Sequence, residues 1–464
     1  MKKIYRYLII AALVCSTFVT KAQNDGIGFT LLPQMPYSNY YNPAINVPYR
    51  GIVGVAFSNV NLAMFNSSIH YNNLFGNDES VIDGVKLVNS LNEYENVFNT
   101  SFSLDFANAG FRVNRFFINI DWRMRMNTDL KYSRDFLGFF VYGNGHYMGY
   151  DNPCDFNLST DVTLFSELAV GVQAKINDRL TIGARPKVLF GLANVVVDNE
   201  KTRVYTDPNS YAMTADVNLN IKAATVLQAD GDNLNDLLKS LDSVAANRMF
   251  DLGENIGYGI DLGASYTINS HFGVAAGIYD LGFIRWTETK TRTIERNNVT
   301  LNDGLFENLT DVTNMELDYK SMIKDIANEV WGDTFLDDGA DYNTYLKTRL
   351  MLQGYFELCP MLRATAIGQL YYVKGKSYPA LTLAYSGVFA KHINLMLNCT
   401  MSKYTGTAVG LGFGLHAGPF NIYAVTDNIL CVTTFGAPFL EVSSKYRTAN
   451  IRAGIVWTIG KYNP

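Results

Sequence analysis

The sequence predicts an all-β fold, a transmembrane antiparallel β-barrel of about 14 strands. Three observations lead there. Apolar and polar residues alternate with period two along segment after segment, as in strands with two unlike faces. Charged residues make up only 17% of the 464 residues, against ~25% in a typical soluble domain, while hydrophobic residues reach 48% and aromatics 13%. Short turns also alternate with long excursions, the layout of bacterial outer-membrane barrels. Disorder is excluded by the low charge and abundant aromatics. A helical membrane protein is excluded because repeated apolar runs of ~20 residues are absent. The net charge of −5 argues against a nucleic-acid partner.

The elements follow in chain order. Lys2, Lys3 and Arg6 precede an apolar run from Tyr7 to Val19 and a small-residue site at Ala22, so 1–22 reads as a signal peptide. Residues 23–50 carry Pro33, Pro36, Pro43 and Pro48, which disfavour a strand, and are expected to form an N-terminal plug or hatch in or under the lumen. Residues 51–464 form the barrel, with extracellular inserts at 193–256 and 284–344. Strands are expected near 52–66, 99–113, 116–131, 160–175, 179–192, 257–268, 271–283, 345–358, 362–374, 378–389, 393–402, 406–417, 420–428 and 450–459. Between Phe116 and Asn127, for example, Phe116, Ile118, Ile120, Trp122, Met124 and Met126 alternate with Asn119, Asp121, Arg123, Arg125 and Asn127. Tight turns fall at Asn114-Arg115, Asn177-Asp178, Asn269-Ser270, Cys359-Pro360, Lys391-His392 and Gly418-Pro419. An even strand number returns both ends to the periplasmic side.

Within the inserts, Thr202–Tyr205 and Met213–Lys222 flank Asp207-Pro208-Asn209-Ser210 and read as a hairpin. Helical spacing marks Asn233–Phe250, and Asp318 can cap a helix through Val330; both are expected to cover the extracellular mouth. The apolar run Phe136–Tyr142 falls in an outer loop, where it must pack on another loop, line a pocket or touch lipid. Trp122, Tyr132, Trp286, Tyr385, Tyr404, Tyr423 and Trp457 are expected in the interfacial aromatic girdles.

Catalytic chemistry finds little support. Of the five histidines only His416 is expected on a lumen face, and Ser386 or Asn398 with it is the best constellation available. No nucleophile elbow, HExxH, P-loop or paired-Cys pattern occurs, so neither an enzyme nor a cofactor or metal site is expected. Cys154, Cys359, Cys399 and Cys431 are far apart and leave disulfide pairing open. The informative charges are Asp121, Arg123, Arg125, Arg185, Lys187, Asp261, Lys347, Arg349 and Arg452, all alternating onto the polar face. They read either as a salt-bridge network that fills the interior or grips the N-terminal segment, or as a basic constriction for an anionic head group.

Several short motifs are also familiar in their order: Asn42-Pro43-Ala44, Leu180 through Gly191, Asp261 through Tyr266, Asp280 through Trp286, Tyr342 through Leu346, and Asp427-Asn428. Through them most of the mature chain resembles an uncharacterised, domain-of-unknown-function family of FadL-like outer-membrane β-barrel proteins. The resemblance implies a 14-stranded barrel with an N-terminal hatch in which Asn42, Pro43 and Ala44 form the hatch motif. Relatives include hydrophobic-substrate transporters and a shuttle component of type IX secretion. The chain departs from many barrels in ending Lys461-Tyr462-Asn463-Pro464 rather than on Phe. Two functions are therefore expected: passive passage of a hydrophobic or amphipathic small molecule, or a structural or secretion-accessory role with protein partners held by loops or the periplasmic face. Outer-membrane lipid is a partner in both.

Overall fold

The computed structural model of the chain describes residues 26–69, 83–199, 201–225, 255–287, 289–301, 337–359, 361–373, 376–402, 406–429 and 448–461. The expected signal peptide, the helices over 233–250 and 318–330, Tyr404 and Cys431 lie outside these residues.

The wall begins with β1 (Tyr49–Val55), β2 (Val60–Asn66), β3 (Asn96–Val113) and β4 (Phe116–Tyr132). After a short outer strand β5 (Cys154–Asp155) it continues with β6 (Leu158–Lys175) and β7 (Leu180–Asp198). Strands β8 (Arg203–Thr206) and β9 (Met213–Thr225) stand outside the wall, which resumes with β10 (Ile256–Thr267) and β11 (Phe272–Trp286). Next come β12 (Thr289–Leu301) and β13 (Asp337–Asp338) of the outer sheet, then β14 (Tyr342–Tyr345) and β15 (Thr348–Cys359). The wall ends with β16 (Leu362–Val373), β17 (Lys376–Phe389), β18 (Ile393–Ser402), β19 (Gly406–Ala417), β20 (Phe420–Thr426) and β21 (Thr448–Lys461).

Every wall strand pairs antiparallel with its neighbours, and β1 and β2 each pair with both β3 and β21, which closes the barrel. Because β1 with β2, and β14 with β15, are successive pieces at one wall position, the barrel has 14 strands. Closure leaves no unpaired sheet edge, the condition for a sheet to survive in hydrocarbon. The faces are inverted relative to a soluble protein. Ile120, Leu352, Leu397 and Ile455 are 52%, 66%, 52% and 55% exposed on the outside, whereas Asp121 and Arg123 are 3% and 1% exposed inside. An outward apolar belt around a polar interior is the arrangement of a transmembrane barrel.

The expected first strand over 52–66 is broken. Residues 56–59 loop out of the ladder, with Phe57 in the left-handed region at φ 67° and 68% exposed, while Ser58 and Asn59 turn inward and are buried. Six residues of this strand (54–59) face only three of β21 (454–456), and Gly454 leaves room because a Cβ there would stand 2.0 Å from the Ser58 carbonyl.

Above the long-loop end, β9 pairs with the upper part of β7 and carries β8 and β12 on its edges. The expected hairpin is β8–β9, turned by Asp207, whose carboxylate accepts from the amides of Asn209 and Ser210. The run Phe136–Tyr142 belongs to a helix, α2 (Arg134–Tyr142), which follows α1 (Gly84–Asn89). Ser133 Oγ caps α2 by accepting from the Phe136 amide at 3.1 Å. Phe139 is buried against Tyr147, Phe156, Cys154 and Val204 beneath the outer sheet, so this apolar run packs on another loop.

Three expected girdle residues are buried instead. Trp286 is fully buried and donates to Thr344 Oγ1, Tyr132 is 6% exposed, and Tyr423 donates to the Ser58 carbonyl. For Trp286 the reason is a bulge on β11 that shifts the phase of alternation; Tyr423 lies on the inward parity of β20, between outward Ile422 and Ala424. Trp122, Tyr385 and Trp457 do face outward.

Candidate functional site

Eight charges meet on the inner wall of five consecutive strands. β4 supplies Asp121, Arg123 and Arg125, β6 supplies Glu167, β7 supplies Arg185 and Lys187, β10 supplies Asp261 and β11 supplies Asp280. Register makes Arg123 the cross-strand partner of Glu167, and Arg185 that of Asp261. Arg185 reaches Asp121 at 2.5 Å, Glu167 at 3.1 Å and Asp261 at 3.1 Å. Lys187 sits between Asp261 at 2.6 Å and Asp280 at 2.7 Å. Arg125 grips Asp280 through both terminal nitrogens and also reaches Glu167 at 2.9 Å. Four cations face four carboxylates, so the cluster is neutral, as burial of charge demands.

The sequence reading found six of these eight and missed Glu167 and Asp280. Glu167 lies on β6, which also carries Asp161, and its signal was its register opposite Arg123. Asp280 was hidden by the bulge: it takes φ 60°, and both Tyr279 and Asp280 point inward beside Asp261, whose carboxylate accepts the Asp280 amide at 2.8 Å. Alternation cannot place two neighbours on one face.

Arg349 and Arg452 stand apart from this cluster and stack on aromatic rings. The Arg452 Cζ lies 4.0 Å from the Phe29 ring centroid, and Arg349 lies between Tyr41 at 4.5 Å and Tyr371 at 4.3 Å. Arg123 similarly covers Tyr40 at 4.2 Å. Phe29, Tyr40 and Tyr41 all belong to the N-terminal segment, whose residues from Ile27 to Val47 form one buried cluster with inward wall residues such as Phe117, Ile367 and Val456. Desolvated cation–π contacts of this kind are worth ~2 kcal/mol each. Lys347, the last of the nine charges expected from the sequence, pairs with Asp129 at 2.8 Å.

Asn42, Pro43 and Ala44 rest on a flat patch of wall. Gly183, Gly263 and Gly277 are consecutive cross-strand partners on β7, β10 and β11. A Cβ on Gly263 would lie 1.9 Å from Asn42 Oδ1, and one on Gly183 would lie 2.4 Å from the Pro43 carbonyl. Asn42 Nδ2 donates to the Ala276 carbonyl, while Gln173 Nε2 donates to the carbonyls of Pro43 and Ile45. Nearer the start of the segment, the Gly28 amide donates to Asp427, a buried carboxylate also held by Asn398 and Asn450. The motifs at Asn42 and Asp427 therefore act on the same segment.

A cavity of about 1220 Å³ opens where β14 passes into β15. Its lining includes inward groups (Asn127, Asp129, Asp161, Thr163, Lys347) and apolar side chains that face outward (Leu281 at 48% and Leu350 at 44% exposed). Phe165 and Leu346 lie between them. Here β11 bulges at Asp280 and its partner steps from β14 to β15, the two being bridged by the Leu346 amide, which donates to the Gly282 carbonyl at 3.0 Å.

His416 lies at the short-turn end beside Tyr49 and His392, whereas Asn398 is engaged with Asp427 and Ser386 is buried on β17. No hydrogen bond joins His416 to Ser386 or Asn398 among the described residues. Cys154, Cys359 and Cys399 carry free thiols.

No curated protein sequence matches the chain. Among solved structures, the toluene transporter TodX of Pseudomonas putida is similar over 96% of this chain and 100% of its own, at 7% identity and a TM-score of 0.45. A FadL homologue of Pseudomonas aeruginosa is similar over 95% of this chain and 99% of its own, at 10% identity and a TM-score of 0.46. The toluene transporter TbuX of Ralstonia pickettii matches over 92% and 95%, at 10% identity and a TM-score of 0.43. The model of DUF5723, described as a family of unknown function, matches residues 43–427, and the chain belongs to that family.

Proposed function

We propose that this protein is an outer-membrane barrel that takes up a hydrophobic or amphipathic small molecule and passes it through the cavity beside β14 and β15. The cavity carries this reading: it joins an apolar side that reaches the outer face to a polar, inward end at Asp129, Asp161 and Lys347. A few polar groups at one end of an apolar chamber are what orient an amphipathic ligand. The buried charges and stacked arginines hold the N-terminal segment in place and are not themselves the route, since each cation of the eight-charge cluster faces a carboxylate.

The test is mass spectrometry of small molecules that co-purify with the barrel, followed by titration with two fluorescent probes, the aromatic amine 1-aminoanthracene and a dansyl-labelled acyl chain. Leu346→Glu, which places a charge in the apolar part, should abolish binding while Leu397→Ala on the far wall leaves it intact. A ligand-free barrel that ignores both probes sinks this reading.

A second reading is favoured by the filled lumen. A segment fixed by Asn42, Gly28 and three arginine stacks suits a closed barrel whose loops hold a protein partner. A stoichiometric partner captured by the ligand-free barrel would favour it.

A further inference from the structure

A second cavity, of about 620 Å³, lies at the long-loop rim, away from the lumen and from the chamber beside β14. It falls in the ~300–1,000 Å³ range of small-ligand sites. Its chemistry differs from that of the first cavity. Lys131, Lys201 and Arg203 face Glu95, Asp155 and Asp216 across it. Lys131 pairs with Glu95 at 3.7 Å and Arg203 with Asp155 at 3.0 Å, so neither sign is in surplus. An inorganic anion or polyanion would meet as much repulsion as attraction here, and a purely apolar ligand would strand the charges. Three tyrosines join the lining: Tyr94 is 77% exposed, Tyr132 is 6% exposed, and Tyr205 leans on Tyr150 at 5.4 Å between ring centroids.

We propose that this groove binds a saccharide. A sugar hydroxyl is both donor and acceptor, so one hydroxyl bridges a lysine and a neighbouring carboxylate without disturbing the charge balance. Charge-assisted hydrogen bonds of that kind are about twice as strong as neutral ones. The exposed Lys131–Glu95 and Arg203–Asp155 pairs are weakly held and yield readily to such a bridge. The C–H face of a pyranose ring needs a flat apolar surface beside polar groups, which an exposed tyrosine supplies. The walls are preorganised: Arg203 and Tyr205 sit on β8, which is hydrogen-bonded to β5 and β9, and Asn157 and Asn199 are fixed by bonds to Thr202 and Phe156.

The sugar reaches this rim either as a free oligosaccharide or as the glycan of a surface lipid, and the experiment separates the two. The full chain in detergent is applied to an array of neutral and acidic oligosaccharides, and titrated calorimetrically with the strongest hit and with rough lipopolysaccharide in the same detergent. Binding to free glycans assigns a soluble source, and binding to the lipopolysaccharide alone assigns the membrane; both support the site. Tyr94→Ala and Lys201→Ala, both exposed and remote from the core, should each weaken binding about three- to tenfold without changing heat stability. The proposal is overturned if no saccharide binds, if both variants bind like the parent, or if only heparin and inorganic phosphate bind with steep salt dependence.

Discussion

Arg185 is the connection point of the buried charge cluster, and its removal gives the sharpest test of what the cluster does. Arg185→Met keeps an unbranched stem, ends short of the guanidinium position and deletes contacts to Asp121, Glu167 and Asp261. Breaking a buried ion pair from one side costs ~3–5 kcal/mol, because the remaining charge stays buried. Each of the three carboxylates retains another cation. Arg123 remains 3.5 Å from Asp121 and 3.4 Å from Glu167, and Lys187 remains 2.6 Å from Asp261. The loss is therefore expected at the lower end, ~3 kcal/mol, and arises from one unbalanced negative charge among side chains nearly sealed from solvent. Asp261→Asn removes that surplus, so the double variant should be more stable than Arg185→Met alone by ~1–2 kcal/mol, a non-additive coupling. Urea unfolding of the barrel refolded into lipid vesicles, followed by tryptophan fluorescence, measures all four corners of the cycle. A cost below ~1 kcal/mol for Arg185→Met, or strictly additive single variants, would refute the claim that neutrality holds this cluster together.

Three further expectations follow from the same geometry. Gly263→Ala places a methyl 1.9 Å from Asn42 Oδ1 and should displace the N-terminal segment, raising amide exchange across residues 40–46, whereas Gly354→Ala meets nothing within 4 Å and should leave exchange unchanged. The amides of Ser210 and Asn209, with the Ser210 hydroxyl, hold the Asp207 carboxyl below its usual range. Its contribution to the β8–β9 turn is therefore present above the unfolded value of ~3.9 and lost as pH falls through the lower folded value. Amide protection at Thr206 and Met213 should fall in that acid window and lose its pH dependence in Asp207→Asn. Burial, with Asp135 nearby, pushes the Cys154 thiol well above its ordinary value. Cys154 should resist maleimide at neutral pH until the outer sheet unfolds, and ready labelling of the folded barrel would contradict its burial under that sheet.

The alternation in Phe116–Asn127 is a local property of side chains two residues apart, and it placed Asp121, Arg123 and Arg125 inside and Ile120 outside before any pairing was known. The same logic placed Arg185, Lys187, Asp261 and Arg452. It failed wherever a single residue shifts the phase. The bulge at Asp280 put Trp286 inside, and the loop at 56–59 broke the first strand. A bulge depends on what the neighbouring strand presents, so its location is not written in the period of one segment.

The sequence by itself determined the class of the molecule, the closed wall of about 14 strands and the face of each residue in the strands without a bulge. Those follow from hydrophobic period, turn spacing and the cost of unpaired backbone in hydrocarbon. Tertiary structure alone decided how the charges are used. Glu167 and Asp280 complete the neutral cluster only when β4, β6, β7, β10 and β11 lie side by side, and Arg349 and Arg452 find Tyr41 and Phe29 only once the N-terminal segment is inside. The two cavities are likewise products of strand bends and loop packing between residues distant in the chain. Side-chain period reports which way a residue points; only the assembled barrel determines what it meets.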